Sequence, residues 1–303
     1  MIKPVRLRFL SVGCTLLWTL SPAARAQSAA PCGDYVNAFE RGLAAYNAGA
    51  RDVAQAAWAE ALEIEGCGPD VAYNLAVLAV VNDDLAGAER LYVTALARLD
   101  AWPDSVQALP EGRHMRAGLF TGLLNVGARH FVADDYEPAL AAFGRITARD
   151  SLHRDAWYNQ ALALYKLERW RALVPVAEHV IDLDPLNVNA HVVLFNAHRG
   201  LRDTRAARAT REAANALPVG IEGLQIATAG RAQTLRGRMV GRQAATGTPI
   251  RLAFTLVSPE GPVATEEVVV AAPAQGQPTT FEVRFPEAPG ATAVRYRLLG
   301  PQR

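Results

Sequence analysis

Six histidines and three cysteines are the side chains that could hold a metal or carry covalent chemistry in this chain. The histidines are His114, His130, His153, His179, His191 and His198. His191 and His198 lie seven apart and can share a helical face. A zinc site needs four nitrogen, sulfur or oxygen ligands around the ion, and no carboxylate or cysteine completes such a set here. All six are expected as helix-surface side chains, with no metal and no cofactor. The segment "GCGPD" (66–70) has two glycines but follows a helical pattern and opens no phosphate cradle, so it reads as a turn. There is no Walker loop, no H-E-x-x-H, no G-x-S-x-G and no nucleophile spaced to meet a base. The sequence reads as non-catalytic.

The chain that carries these residues has 303 of them, half hydrophobic and 20% charged, enough for two domains with real cores. Lys3, Arg6 and Arg8 precede the apolar run "FLSVGCTLLWTL", and "ARA" at 24–26 offers a small-x-small cleavage site. Residues 1–26 are therefore expected to be a secretory signal peptide cut near Ala26, leaving an exported, periplasmic or secreted chain. The apolar run is too short to span a bilayer, so no membrane span is expected in the mature chain. Removing the leader leaves 27 basic against 30 acidic side chains. No basic stripe follows a phosphate backbone, which argues against nucleic acid. Cys32 and Cys67 survive processing, and an even count in an exported protein suggests a disulfide.

The elements that position these side chains follow from one repeat. From Ala54 the chain reaches Ala88 in 34 residues, and from Ala139 it reaches Leu173 and Ala207 in the same steps. Only the interval from Ala88 to Ala139 is longer, by 17. Four residues after each landmark stand Trp58, Tyr92, Phe143, Ala177 and Arg211. Seven after stand Ala61, Ala95, Ile146, Val180 and Ala214, and twelve before stand Gly42, Ala76, Gly127, Ala161 and Phe195. Steps of four and seven trace one face of a helix, with small residues permitting close approach and aromatics filling the gap.

On these residues, and on "YNLAVLAVVNDDLAGAERLYVTAL" (73–96) and "WYNQALALYKLERW" (157–170) above all, the chain resembles the tetratricopeptide repeat. The resemblance covers residues 35–218 and implies stacked helix–turn–helix units. The turns then fall at Gly49, Asp83, Asp134 and Glu168, five residues before each landmark. Pro138 lies in the first turn of a second helix, where its missing N–H is not needed, and Asp134 or Asp135 can cap that helix. Pro175 sits deeper and predicts a kink or a late start in the fourth repeat. The fifth repeat, with Phe195 at the small position and Arg211 at the aromatic one, is degenerate and reads as a cap. The excess around 101–116 reads as a longer loop with an extended first helix. The hairpin geometry also brings Cys32 and Cys67 to the same end of the first repeat, where a disulfide would close a loop of 35 residues.

In the resembled family the first helix of each repeat lines a concave groove. The corresponding face reads Phe39, Leu43, Tyr46; Tyr73, Val77, Val80; Leu124, Ala128, Phe131; and Tyr158, Leu162, Tyr165. An apolar, aromatic groove suits an extended or helical partner segment, although many of these side chains could equally pack against their own neighbours. Beside the stripe stand Asn74, Asn125 and Asn159, which can pair with a peptide backbone without reading its side chains. The resemblance implies that option; local bonding is the alternative. The peptide-binding candidates are thus Asn74, Asn125, Asn159, Tyr46, Tyr73, Phe131, Tyr158 and Tyr165. The basic clamp that some relatives use for a C-terminal carboxylate is not matched, since Phe39 and Leu43 hold its places.

After "NALPVG" (215–220) the period changes from helical to alternating. "LRGRMVGR" (235–242), "IRLAFTLV" (250–257), "EEVVVA" (266–271), "TFEVRF" (280–285) and "AVRYRL" (293–298) read as short strands separated by Pro/Gly turns. The fold class expected is α + β multidomain. A tetratricopeptide solenoid over 27–218 precedes a small antiparallel β-sandwich over 219–303, immunoglobulin- or fibronectin-like in pattern. The function expected is a protein- or peptide-binding scaffold. The competing reading makes the sandwich a glycan- or envelope-binding end and the helices a spacer.

Overall fold

The structure is a computed structural model, and it describes residues 32–64, 67–258 and 261–300. The leader expected at 1–26 lies outside the described residues. The chain divides into two compact units, one through Ile146 and one from Thr147 onward.

Helices form in pairs. The hairpins are α1 (Gly33–Asn47) with α2 (Arg51–Leu62), and α3 (Asp70–Val81) with α4 (Leu85–Asp100). The short α5 (Asp104–Gln107) precedes α6 (Pro110–Val132), which pairs with α7 (Tyr136–Thr147). Then come α8 (Arg154–Lys166) with α9 (Trp170–Leu183), and α10 (Val188–Gly200) with α11 (Thr204–Ala216). The inserted residues thus form one extra turn, and α6 extends to 23 residues with Pro110 in its first turn.

One device makes every turn. Gly49, Asp83, Asp134, Glu168 and Arg202 all have left-handed φ, between 55° and 79°. At Asp83 the residue's own N–H donates to the Val80 carbonyl at 3.2 Å, and the next N–H, of Asp84, donates to Ala79 at 2.9 Å. The other four turns repeat this pattern, which satisfies carbonyls that a helix end leaves orphaned. The residue after the left-handed one opens the second helix: the Asp84 and Asp203 carboxylates accept from the N–H of Gly87 and Ala206. Pro138 is the third residue of α7, within its first turn.

The period is visible in the packing. Ala54, Ala88, Ala139 and Leu173 are fully buried, as are Trp58 and Phe143. A methyl on Gly42 would come within 2.3 Å of the Trp58 ring, and one on Gly127 within 2.5 Å of Phe143. Only a missing Cβ lets these helices cross so closely. The Trp58 N–H also donates to the Phe39 carbonyl at 3.1 Å. A Cys32–Cys67 disulfide, with Cα atoms 5.9 Å apart, ties the start of α1 to the segment before α3. Beside it the buried Tyr35 hydroxyl meets Asp70 Oδ1 at 2.5 Å and the Gly68 carbonyl at 2.9 Å.

In the second unit α9 starts at Trp170 with Pro175 inside it, so of the two outcomes expected there, a kink or a late start, the late start does not occur. The left-handed turn at Glu168 fixes the start, and Pro175 forgoes one helical bond inside the helix. His191 is corrected too: it is buried, not on a helix surface, and its Nε2 lies 3.3 Å from the Pro185 carbonyl.

Six antiparallel strands follow: β1 (Val219–Ala229), β2 (Ala232–Gly241), β3 (Pro249–Ser258), β4 (Gly261–Ala271), β5 (Pro278–Phe285) and β6 (Ala293–Leu298). They make two three-stranded sheets, β1-β2-β5 and β4-β3-β6, whose inner faces share one core. Leu235, Met239, Val283 and Phe285 of one sheet meet Leu252, Phe254, Leu256 and Val294 of the other. Leu186, at the end of the fourth repeat, belongs to the same core. The sequence pattern missed β1 because its register with β2 shifts between Glu222 and Gln225, beside a left-handed Gly223. An irregularity of that kind moves side chains off strict alternation.

Candidate functional site

The candidate surface is the first-helix face, and each compact unit carries its own part of it. In the first unit Phe39, Val77, Leu124 and Ala128 are buried. Tyr46, Tyr73, Val80 and Phe131 are half-buried. In the second unit Leu162 is buried, while Tyr158 and Tyr165 are half-buried. The innermost positions of the stripe are core. What remains accessible is the position eight before each landmark, namely Tyr46, Val80, Phe131 and Tyr165, together with Leu43, Tyr73 and Tyr158.

These rings are braced by others. Tyr46 lies 6.0 Å from Trp58, and Tyr73 meets Tyr92 edge-on at 5.9 Å. Phe131 meets Tyr136 at 5.2 Å and Tyr165 meets Trp170 at 5.7 Å, both edge-on. The last two pairs are the same two repeat positions, 34 residues apart, clasped across the hairpin turn. A ring held this way gives a partner a rigid apolar surface at small entropic cost. Burial raises the Tyr73 phenol above its ordinary pKa. Burial, with the Asp184 charge adding to it, pushes Tyr158 to about 12. Both are neutral donors at any physiological pH.

The asparagines separate. Asn74 has 0% of its surface exposed, so as the helices stand its side chain is enclosed within the fold. It lies on α3 among the buried Leu75, Ala76 and Val77. Asn125 and Asn159 are half-buried. Asn74 and Asn125 belong to the first unit and Asn159 to the second.

Among the described residues no group of three histidine, cysteine or carboxylate side chains is placed to hold a metal. His153 caps α8, its Nδ1 accepting from the Ala156 N–H at 3.3 Å. His179 packs on Trp157 at 4.3 Å with Nε2 2.8 Å from the Ser151 carbonyl. No described helix is long and apolar enough to cross a membrane.

Two features were absent from the sequence expectation. One is the buried Asp184, joined to Tyr296 of β6. The other is a solvent-open concavity of about 340 Å³ on the fifth repeat, lined by Phe195, Ala207 and four arginines. The signal for the second was present: Phe195 stands at the small position of the repeat and Arg211 at the aromatic one.

The helical hairpins have a tetratricopeptide-like fold. No protein-family model matches the chain, and no curated protein does. Solved structures similar to it include MamA AMB-1, at 17% identity and a TM-score of 0.39 over 60% of this chain and 91% of that one. MamA 41-end from Desulfovibrio magneticus RS-1 is also 17% identical, with a TM-score of 0.35 over 61% and 95%.

Proposed function

We propose that this chain is a non-catalytic, exported scaffold that binds an extended or helical segment of another protein on its first-helix faces. The observation that carries the reading is the recurrence of a half-buried apolar side chain at one repeat position, Tyr46, Val80, Phe131 and Tyr165. A purely structural position would be expected to vary with local packing. Here three of the four are aromatic, and two of those are clasped by a second ring. Asn125 and Asn159 stand beside these anchors to pair with the partner's backbone, while Asn74 supports the helix from within. The disulfide between Cys32 and Cys67 fits an oxidising compartment such as the periplasm. The residues from 219 onward form a sandwich of immunoglobulin or fibronectin kind that closes the end of the repeats.

In-cell crosslinking of the full-length protein tests this. Wild type is compared with Phe131→Ala/Tyr165→Ala and with Asn125→Ala/Asn159→Ala, each checked for an unchanged unfolding transition. Loss of a discrete crosslinked partner in both variants supports the faces as the binding surface. Capture of the same partners by all three proteins sinks the reading and moves attention to the sandwich.

A further inference from the structure

The fifth repeat departs from the packing of the first and third. In the first and third repeats a glycine on the first helix receives an aromatic ring from the second, Gly42 with Trp58 and Gly127 with Phe143. In the fifth, the ring is Phe195 on α10, half-buried, and Arg211 on α11 is exposed. Between them lies a surface concavity of about 340 Å³, open to solvent. That is the lower end of the range for small-molecule sites, roughly 300–1,000 Å³. Phe195 and Ala207 supply its apolar lining, and Arg199, Arg202, Arg208 and Arg211 its rim.

The charges around it are not balanced. Arg208 is offset by Glu212, with Nε 2.8 Å from the carboxylate, and Arg199 sits over the Phe195 ring at 5.7 Å. The side chains of Arg202 and Arg211 make no hydrogen bond or ion pair with another described residue. The other acid nearby, Asp203, is committed to capping α11 through the Ala206 N–H. Like charges around a concavity with an apolar wall focus a positive potential. A polar helix cap needs exposed charges of either sign; it does not need several cations around a phenyl ring. Guanidinium forks match the two oxygens of a carboxylate or phosphate, and aromatic faces stack on planar groups.

We propose that this concavity is a binding site for a small organic oxyanion, its carboxylate or phosphate group held by Arg202 and Arg211 and its planar body stacked on Phe195. The site is independent of the peptide-binding faces proposed above. A partner segment and a small anion could be bound at once.

Calorimetric titration of the full-length protein at low salt, with phenyl phosphate, benzoate, inorganic phosphate and benzyl alcohol, tests it. We expect at least one aryl oxyanion to bind with Kd below about 1 mM, roughly fivefold or more tighter than inorganic phosphate or the neutral alcohol. Arg202→Ala/Arg211→Ala, both at exposed positions, should weaken it at least about tenfold, and added salt should weaken it too. Phe195→Leu, which keeps the apolar floor and removes the ring, should cancel the preference for the aryl compound. Tighter binding of phenyl phosphate assigns the natural group as phosphate; tighter binding of benzoate assigns it as carboxylate. The proposal is overturned if neither aryl anion binds below about 1 mM, or if the double arginine variant binds like wild type. It is equally overturned if Phe195→Leu keeps the aryl preference.

Discussion

The hydroxyl of Tyr296 on β6 donates to the buried carboxylate of Asp184, at the end of α9 and 112 residues away in sequence. The same hydroxyl accepts from the Leu186 N–H at 3.2 Å. The other Asp184 oxygen receives the Asn187 side-chain amide at 3.2 Å and lies 3.9 Å from Arg154 Nε. Arg154 in turn donates to the Val294 carbonyl at 2.9 Å. One buried network therefore joins the last turn of the fourth repeat to the sandwich. Removing the hydroxyl leaves a buried acceptor and a buried donor short of a partner. Tyr296→Phe should cost about 1–3 kcal/mol in urea denaturation. A loss near zero would show that water replaces the hydroxyl and that the lock is only apparent.

The network also sets a pH response. Burial raises the Asp184 carboxyl above its ordinary value of 3.8, while Arg154, Tyr296 and Asn187 act the other way without cancelling it. The folded chain then holds this proton more tightly than the unfolded one, so stability should fall as pH rises from about 4 through the raised folded value. Asp184→Asn should flatten that slope. Urea midpoints measured for both proteins between pH 4 and 7 decide it, and parallel curves would assign the slope to other groups.

Reduction offers a separate check on the first unit. Closing a loop of 35 residues stabilises by about 3–4 kcal/mol in the chain-entropy model. Cys32→Ser/Cys67→Ser should lose about that much in denaturant unfolding, and a reductant should shift wild type but leave the variant unmoved. The undisturbed second unit should keep its own transition, so probes on Trp58 and on the Trp157–Trp170 region should separate.

The glycine–aromatic crossings predict coupling. Gly127→Ala places a methyl 2.5 Å from Phe143 and should cost about 1–3 kcal/mol by overpacking. Phe143→Ala alone should cost about 3–5 kcal/mol through its cavity. In the double variant the added methyl has no ring to meet, so the two losses should fall short of additive. Additive losses would mean the helices part freely at this crossing.

The helical half of the fold was legible because a fixed period constrains every position at once. Ala54, Ala88 and Ala139 could be aligned, so the turn positions and Pro138 followed. The site was less legible, because period places a side chain on a face without saying what covers it. Asn74 and Asn125 hold the same repeat position, yet one is buried and the other half-buried. That difference depends on what packs over each helix, which the repeat period does not encode. The Asp184–Tyr296 contact was invisible for the same reason: it joins a helical repeat to a strand, and neither period encodes the other. Strand β1 was lost to its own bulge. At the concavity by Phe195, as at the insertion before α6, a break in the pattern carried the information directly.

The turn device yields a prediction with two signs. Glu168 is exposed and left-handed at φ 55°, a conformation that costs a residue with a Cβ roughly 1–2 kcal/mol. Glycine adopts it freely but loses more entropy on folding, by about 0.4–1 kcal/mol. Glu168→Gly should therefore stabilise the second unit slightly, by about 0.5 kcal/mol. Gly49 occupies the equivalent turn at φ 79°, and Gly49→Ala should destabilise the first unit by about 1 kcal/mol. Asp83→Gly should gain less than Glu168→Gly, because Arg129 pairs with Asp83 at 2.5 Å and that contact would be lost. Thermal unfolding of the three variants ranks them. If Glu168→Gly proves destabilising, the side chain contributes more at the turn than its backbone costs, and the five turns are not held by the carbonyl bonds alone.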